Sequence, residues 1–334
     1  MEYCLLFRSS KEREKKLDHC FRNPIKCYYY NLLYLRGFLL ITSSNFIFIS
    51  NLINCIVDNI PPNKMIIEET YNLLKTKYKN QVENLTIRDV RVGLFLTAVR
   101  LSDNSYGVAS TCTDNHPVCI KDKRDFSDFT PLKIKGQKVI SLFDSGKETG
   151  IVVTLKIAVL NAISSNIISS SDYEILHNTD PIELIDLGSK KTITIVGAFQ
   201  SYIRKISETG NRLYVLELNE NALLPEQRQY FVPASDYHNV LPESDIVIIT
   251  GFTLVNNTID NLLSAVSQRS LVIVTGPSSS IIPDLLFENK VKIIGATRIT
   301  KPDILFKVVG EAGAGFHLFK YCAEKICVLR NDEK

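Results

Sequence analysis

Two loops carry side chains with chemistry to offer. One runs from Thr250-Gly251 through Thr253 to Asn256-Asn257-Thr258, and the other begins Thr275-Gly276-Pro277-Ser278. Thr250, Thr253, Thr258 and Ser278 bring hydroxyls, Asn256 an amide, and Gly251 and Gly276 exposed backbone. Groups of this kind hold a polar organic ligand or an anion, whereas a soft metal ion selects thiolate or imidazole. A second candidate is Gly197 with Glu217 twenty residues on, the layout of a nucleotide-binding turn with an acid ending the next strand. The turn Gly197-Ala198-Phe199-Gln200 has one glycine where a dinucleotide fingerprint has three, so a Rossmann-like sheet without a dinucleotide is the plainer expectation. Glu217 then remains an acid at the sheet's carboxyl edge. A third candidate packs Cys112, Asp114, His116 and Cys119 into eight residues. Thiolates and an imidazole on one loop can converge on a transition metal, with Asp114 as a further ligand or outer partner. The spacing matches no standard zinc motif and no second ligand pair follows, so incidental loop residues are the alternative. His317 reads as a capping or packing histidine, and Cys322 and Cys327 as core.

The elements that must position these groups follow from the apolar runs. Ile246-Val247-Ile248-Ile249 and Leu271-Val272-Ile273-Val274 are short, rich in β-branched residues and do not alternate, which predicts strands buried on both faces, as in a parallel sheet covered by helices. Between them Ile259, Leu262, Leu263 and Val266 recur at helical spacing. Further strands are predicted at 192–197, 212–217 and 292–295, each separated by helical patterns, giving a doubly wound, mostly parallel Rossmann-like domain over 180–330. Asp245 falls at the start of its strand, away from the carboxyl rim. Residues 302–330 are expected to finish with two helices around Gly310–Gly315.

Ahead of this domain a small α+β domain is expected over 65–168. Its parts are a helix from Met65 to about Tyr78, with Glu68 and Glu69 in its first turn, and a hairpin of strands 90–99 and 106–109 around Ser102-Asp103-Asn104-Ser105. A long polar loop at 113–138 and a buried helix at 150–164 complete it. A polar stretch from Ser169 to Pro181 reads as the linker.

The chain has 334 residues, 45% of them hydrophobic, with eight cysteines at no regular spacing, which suits a reducing cytosol rather than a secreted disulfide scaffold. Its formal charge of +3 is unevenly spread. Residues 1–64 hold nine Lys/Arg against five Asp/Glu, out of totals of 39 and 36, so the remainder has 30 against 31 and is close to neutral. No basic, aromatic-interleaved stretch in that body argues for nucleic acid. Residues 37–57 run uncharged for 21 residues behind eight Lys/Arg, long enough to span a bilayer but interrupted by Ser, Thr and Asn. Three readings of 1–64 stay open: an over-extended start, a membrane anchor, or a targeting segment. A cytoplasmic protein is expected on the first, and membrane attachment only if the leader is real. No G-x-S-x-G elbow, H-E-x-x-H or Walker lysine occurs in the sequence, so hydrolase and kinase chemistry has no support.

At DIVIITGFTLVNNTIDNLL (245–263), VTGPSSSIIPDLLF (274–287), ITIVGAF (193–199) and, less specifically, LKIAVLNAI (155–163), the chain resembles the putative heavy-metal chelation proteins of anaerobic bacteria and archaea. In that family a C-terminal Rossmann-like domain follows a smaller domain similar to the N-terminal domain of enolase. The resemblance covers roughly 65–328. Ser280 and Asn289 depart from the Pro and Gly expected there. It implies binding of a metal, or of a metal-chelating small molecule, in the crevice between the domains, with Thr250, Gly251, Thr253, Asn256, Thr258, Gly276 and Ser278 at the motif positions. The implied cofactor is a transition metal or metal complex. An enzyme acting on such a ligand, with Glu217 as acid or base, is the alternative.

Overall fold

A computed structural model of the chain describes residues 65–113 and 126–330; the 37–57 run, Asp114, His116 and Cys119 lie outside them. Helix α1 (Ile66–Lys77) forms where expected. Its acidic first turn and basic last turn suit the helix dipole, and Ile66, Thr70, Tyr71 and Leu74 face inward. Its amino end is held by a distant side chain, since Ile66 N–H donates to Asp260 Oδ1 at 2.9 Å. Burial raises the Asp260 pKa above the ordinary carboxylate range, the Ile66 bond offsetting part of the shift. The native state therefore holds this proton more tightly than the unfolded chain does. The group's contribution is greatest below the unfolded pKa and declines as pH rises through the raised folded value. Asp260→Asn keeps an acceptor and is expected to flatten that pH dependence in denaturant melts. Asp260→Ala, which orphans the Ile66 donor, is expected to cost about 1 kcal/mol at neutral pH.

The hairpin expected at 90–109 is a three-stranded antiparallel sheet, β1 (Ile87–Val92), β2 (Leu96–Leu101) and β3 (Tyr106–Ser110), in that order. The single strand anticipated at 90–99 is two, because the chain reverses at Gly93-Leu94-Phe95, where Gly93 N–H donates to Leu96 O at 2.8 Å. Leu94 and Phe95 are exposed, so their apolar character misleads. The turn at 102–105 is as expected, with Asp103 Oδ1 accepting the Ser105 N–H at 3.0 Å and Asn104 at φ 65°. Of the loop anticipated at 113–138, the described part contains a 3-10 turn at Ser127–Phe129.

Helix α2 (Gly150–Ser169) runs a turn further than the apolar pattern and has only Ile151, Ser165, Asn166 and Ser169 outside the buried set. Among the described residues it alone is long and apolar enough to cross a membrane, but 83% of its apolar stretch is buried in the fold, so it is a core helix. One flank lies on β3 and the other reaches the second domain. Val152, Leu155 and Val159 share a single buried cluster with Val247, Ile249, Leu254 and Ile281, so the two domains read from the sequence share a core.

The second sheet has eight strands. Its strands are β4 (Glu174–His177), β5 (Thr192–Val196), β6 (Arg212–Glu217), β7 (Phe231–Pro233), β8 (Ile246–Thr250), β9 (Leu271–Thr275), β10 (Val291–Ile299) and β11 (Ala323–Leu329). The helices that matter here are α3 (Gln200–Ser207), α4 (Phe252–Val255), α5 (Ile259–Ala265), α6 (Asp284–Glu288), α7 (Pro302–Gly310) and α8 (Gly315–Tyr321), with a further short helix at Tyr237–Val240. The order is β4-β11-β10-β9-β8-β5-β6-β7, parallel from β10 to β7 and antiparallel at β10/β11 and β11/β4. The expected doubly wound, mostly parallel sheet is therefore present. Two features correct the expectation. The stretch 169–181 is not only a linker but contributes the edge strand β4, and 302–330 holds two helices plus the antiparallel strand β11. Helix α8 stops because Cys322 turns back to accept the N–H groups of Thr300 and Lys301, at 2.8 and 3.1 Å, which delivers Ala323 into the sheet.

The two departures from the family pattern each have a local role. The buried Ser280 hydroxyl accepts the Thr297 N–H at 2.9 Å, pinning its loop to β10. Asn289 ends α6, its amide donating to Leu285 O at 2.7 Å.

Candidate functional site

The strand order fixes where a ligand can enter. From β5 the chain moves to β6 and β7 on one side, then returns to β8 on the other side of β5, so the carboxyl ends of β5 and β8 form a topological switch point. A cavity of about 360 Å³ opens there, within the usual range for small-molecule sites. Six of the nine expected ligand-binding positions line it: Gly197, Glu217, Thr250, Thr253, Asn256 and Thr258. Ser235, Tyr237 and Asn261 line it too, and the sequence reading missed them because they lie on two short helical turns after β7, Ala234–Asp236 and Tyr237–Val240, and on α5. Val196, Leu216, Phe252 and Leu262 supply apolar wall.

Each polar group is held by local bonding. Gly197 ends β5 at φ 103°, and a Cβ there would lie 3.1 Å from Thr250 Cγ2, so glycine lets the two strand ends approach. Thr253 is buried and its hydroxyl donates to Thr250 O at 2.7 Å, while Thr250 Oγ1 accepts the Phe252 N–H at 3.3 Å. These two threonines thus also build the turn. Asn257 takes φ 57°, turning the chain so that Thr258 Oγ1 donates to Asn256 Oδ1 at 2.7 Å. Helix α5 has no side-chain cap from Thr258, and the Asn256 oxygen holds that hydroxyl. Glu217 Oε1 accepts the Leu218 N–H at 2.7 Å, folding the carboxylate back over the end of β6. Asp245 sits at the opposite end of the sheet, accepting the Thr192 N–H at 2.8 Å.

Gly251, Gly276 and Ser278 are not brought to this cavity. The two loops are neighbours, but they pack on one another: Gly251 N–H donates to Thr275 O at 2.7 Å, and a Cβ on Gly251 would lie 2.9 Å from Ser279 N. Ser278 is fully buried, its hydroxyl accepting the Ser110 N–H of β3 at 2.8 Å. Gly276 faces a second cavity, of about 540 Å³, on the other flank of the switch point. Side chains bond directly across the junction between the two sheets' parts. Asn161 Nδ2 bridges Val108 O and Pro277 O at 2.7 and 3.2 Å, and Ile282 N–H donates to Ser164 Oγ at 2.9 Å. Every residue lining the two cavities belongs to the second domain.

The expected metal ligands are only partly placed. Cys112 is half-buried beside the main core, its N–H donating to Thr154 Oγ1 at 3.0 Å. Among the described residues no three His, Cys, Asp or Glu side chains cluster as a metal site. Cys322 and Cys327 are core, as expected; burial pushes the Cys327 thiol up to about 12, far from a metal-binding thiolate at neutral pH. His317 Nδ1 accepts the Ala314 N–H at 3.0 Å and so caps the start of α8.

The fold and site define a protein with a Rossmann-like sheet, preceded by a small α+β domain, and with an oxygen- and amide-lined cavity at the switch point. A family described as "Putative heavy-metal chelation" matches residues 180–328, and a second of the same description matches 75–164. Both parts of the chain therefore match models of the heavy-metal chelation description. An uncharacterised protein of Methanocaldococcus jannaschii is 25% identical over 268 residues, 78% of this chain and 96% of its own length. Two solved DUF364-family structures of unknown function share the fold. One, from Pyrococcus horikoshii, has TM-score 0.62 and 21% identity and covers 80% of this chain and 99% of its own. The other, from Desulfitobacterium hafniense, has TM-score 0.58 and 16% identity and covers 77% and 99%.

Proposed function

We propose that the switch-point cavity binds a polar small molecule that brings its own metal-chelating donors, so that any heavy metal arrives as a complex. The observation that carries this reading is the donor set. Glu217, Thr250, Thr253, Asn256, Thr258, Ser235 and Asn261 offer oxygens and amides, and no thiol or imidazole lines the cavity. Soft ions bind such sites poorly on their own. The family description and this lining agree if the metal's ligands are supplied by the small molecule. Direct ligation by Cys112, His116 and Cys119 is the competing arrangement.

Purification without air, followed by native mass spectrometry and elemental analysis, separates the two. The expected result is a non-covalent organic molecule released on denaturation together with any metal. Metal retained at stoichiometric level with no organic companion, and lost in Cys112→Ser, would reverse the assignment in favour of the cysteines. Glu217 is the one carboxylate in the cavity, so an acid-base reaction on the ligand would run through it. A covalently altered molecule appearing on incubation, and absent with Glu217→Gln, marks an enzyme.

A further inference from the structure

The second cavity differs in chemistry from the first. It lies at the carboxyl ends of β5 and β9 and beside the middle of β10, and it contains a cation but no carboxylate on its wall, where the first has a carboxylate and no cation. Its walls are aromatic. Phe199 and Tyr202 stack with centroids 5.3 Å apart and planes 20° apart. Lys325 Nζ stands 5.2 Å from the centre of the Phe319 ring, and Phe316 on the rim is 67% exposed. The Lys325 ammonium is ion-paired with Asp180, which also accepts the Tyr202 hydroxyl, so a ligand would meet a lysine already fixed by one carboxylate.

We propose that this cavity is a separate site for a planar conjugated anion, of the aromatic carboxylate class. Flat rings on the wall and rim favour a π-faced ligand, because offset or edge-on aromatic contacts add to simple area burial. An exposed phenylalanine on a cavity rim is surface that a bound ring would cover. The lone lysine supplies one charge-assisted bond at one end. One cation suits a monoanion such as a carboxylate better than a di- or triphosphate, which needs several positive groups or a dense set of backbone N–H donors. The inference is independent of what the first cavity holds.

The test is binding of 2-naphthoate to the full chain, followed through the probe's own emission, which the absence of tryptophan leaves clear. Cyclohexanecarboxylate, 2-naphthamide and adenosine monophosphate serve as comparisons, by displacement. The expected order places 2-naphthoate about tenfold or more ahead of both the saturated acid and the neutral amide. Phe316→Ala is expected to weaken naphthoate about fivefold with an unchanged melting temperature, since the ring is largely in solvent. Lys325→Gln should erase the preference for naphthoate over naphthamide, and Asn256→Ala with Thr258→Ala should leave binding as it was. Four outcomes overturn the proposal. They are no binding of naphthoate at millimolar concentration, equal affinity for acid and amide in the unaltered protein, wild-type affinity in Phe316→Ala, or tighter binding of the phosphate than of the carboxylate.

Discussion

Gly107→Ala is expected to destabilise the protein by about 3 kcal/mol or more, a large share of the roughly 5–15 kcal/mol by which a folded domain is stable. Gly107 is on β3 where α2 crosses it. A Cβ built there would lie 2.0 Å from Ala158 O and 2.4 Å from Ala162 N, both backbone atoms of the helix. A flexible side chain could swing away from such a clash, but a helix backbone cannot. Either α2 lifts from the sheet or β3 peels off. Both routes open the cluster that α2 shares with β8 and the 281–282 segment, so damage in the first domain spreads to the second. The check is a denaturant melt of Gly107→Ala beside Gly136→Ala. Gly136 has open space around its Cβ position, though its φ of 88° carries a backbone cost of its own. The clash at Gly107 should exceed that cost severalfold. Near-equal losses would mean that α2 does not rest on β3 as described.

Asn256→Ala with Thr258→Ala is expected to abolish retention of a small molecule at the switch point while leaving the melting temperature within a degree or two. Both residues line the cavity, and their side chains bond to each other at 2.7 Å. Thr258 is exposed and Asn256 half-buried, so removing this pair leaves no buried donor or acceptor orphaned. Asn256 as a helix cap would instead cost about 1 kcal/mol when removed, but its Oδ1 accepts the Thr258 hydroxyl. Mass spectrometry of the co-purified fraction and a thermal melt together decide the matter. A lower melting temperature with the small molecule still bound would assign these residues to structure and remove them from the site.

The sequence by itself determined the parallel core of this protein and part of the lining of the candidate site. Runs such as Ile246–Ile249 and Leu271–Val274 suit strands covered by helices on both faces, and a parallel strand ends in a loop on the carboxyl rim, so Gly197, Glu217 and Thr250 are legible as rim residues from the sequence. The helix at α2 was legible for the same reason: an apolar stretch that long without a polar face has to be buried on all sides. Tertiary structure decided the rest, because it turned on which neighbour each segment met. β4 is short and both it and β11 are mixed in composition, and they become strands only because β10 has a free edge for β11 to pair with and β11 then offers its own to β4. Gly93 could not be seen as a turn until α7 was in place, where a Cβ would lie 2.2 Å from Val309 O. Ser278 looks in sequence like Thr250, a hydroxyl just past a strand. Which of them faces a cavity was settled by β3, whose Ser110 N–H claims Ser278 and buries it, while no strand of the first domain covers Thr250. Spacing along a chain shows which side chains reach the rim, and packing across it shows which of them remain open to a ligand.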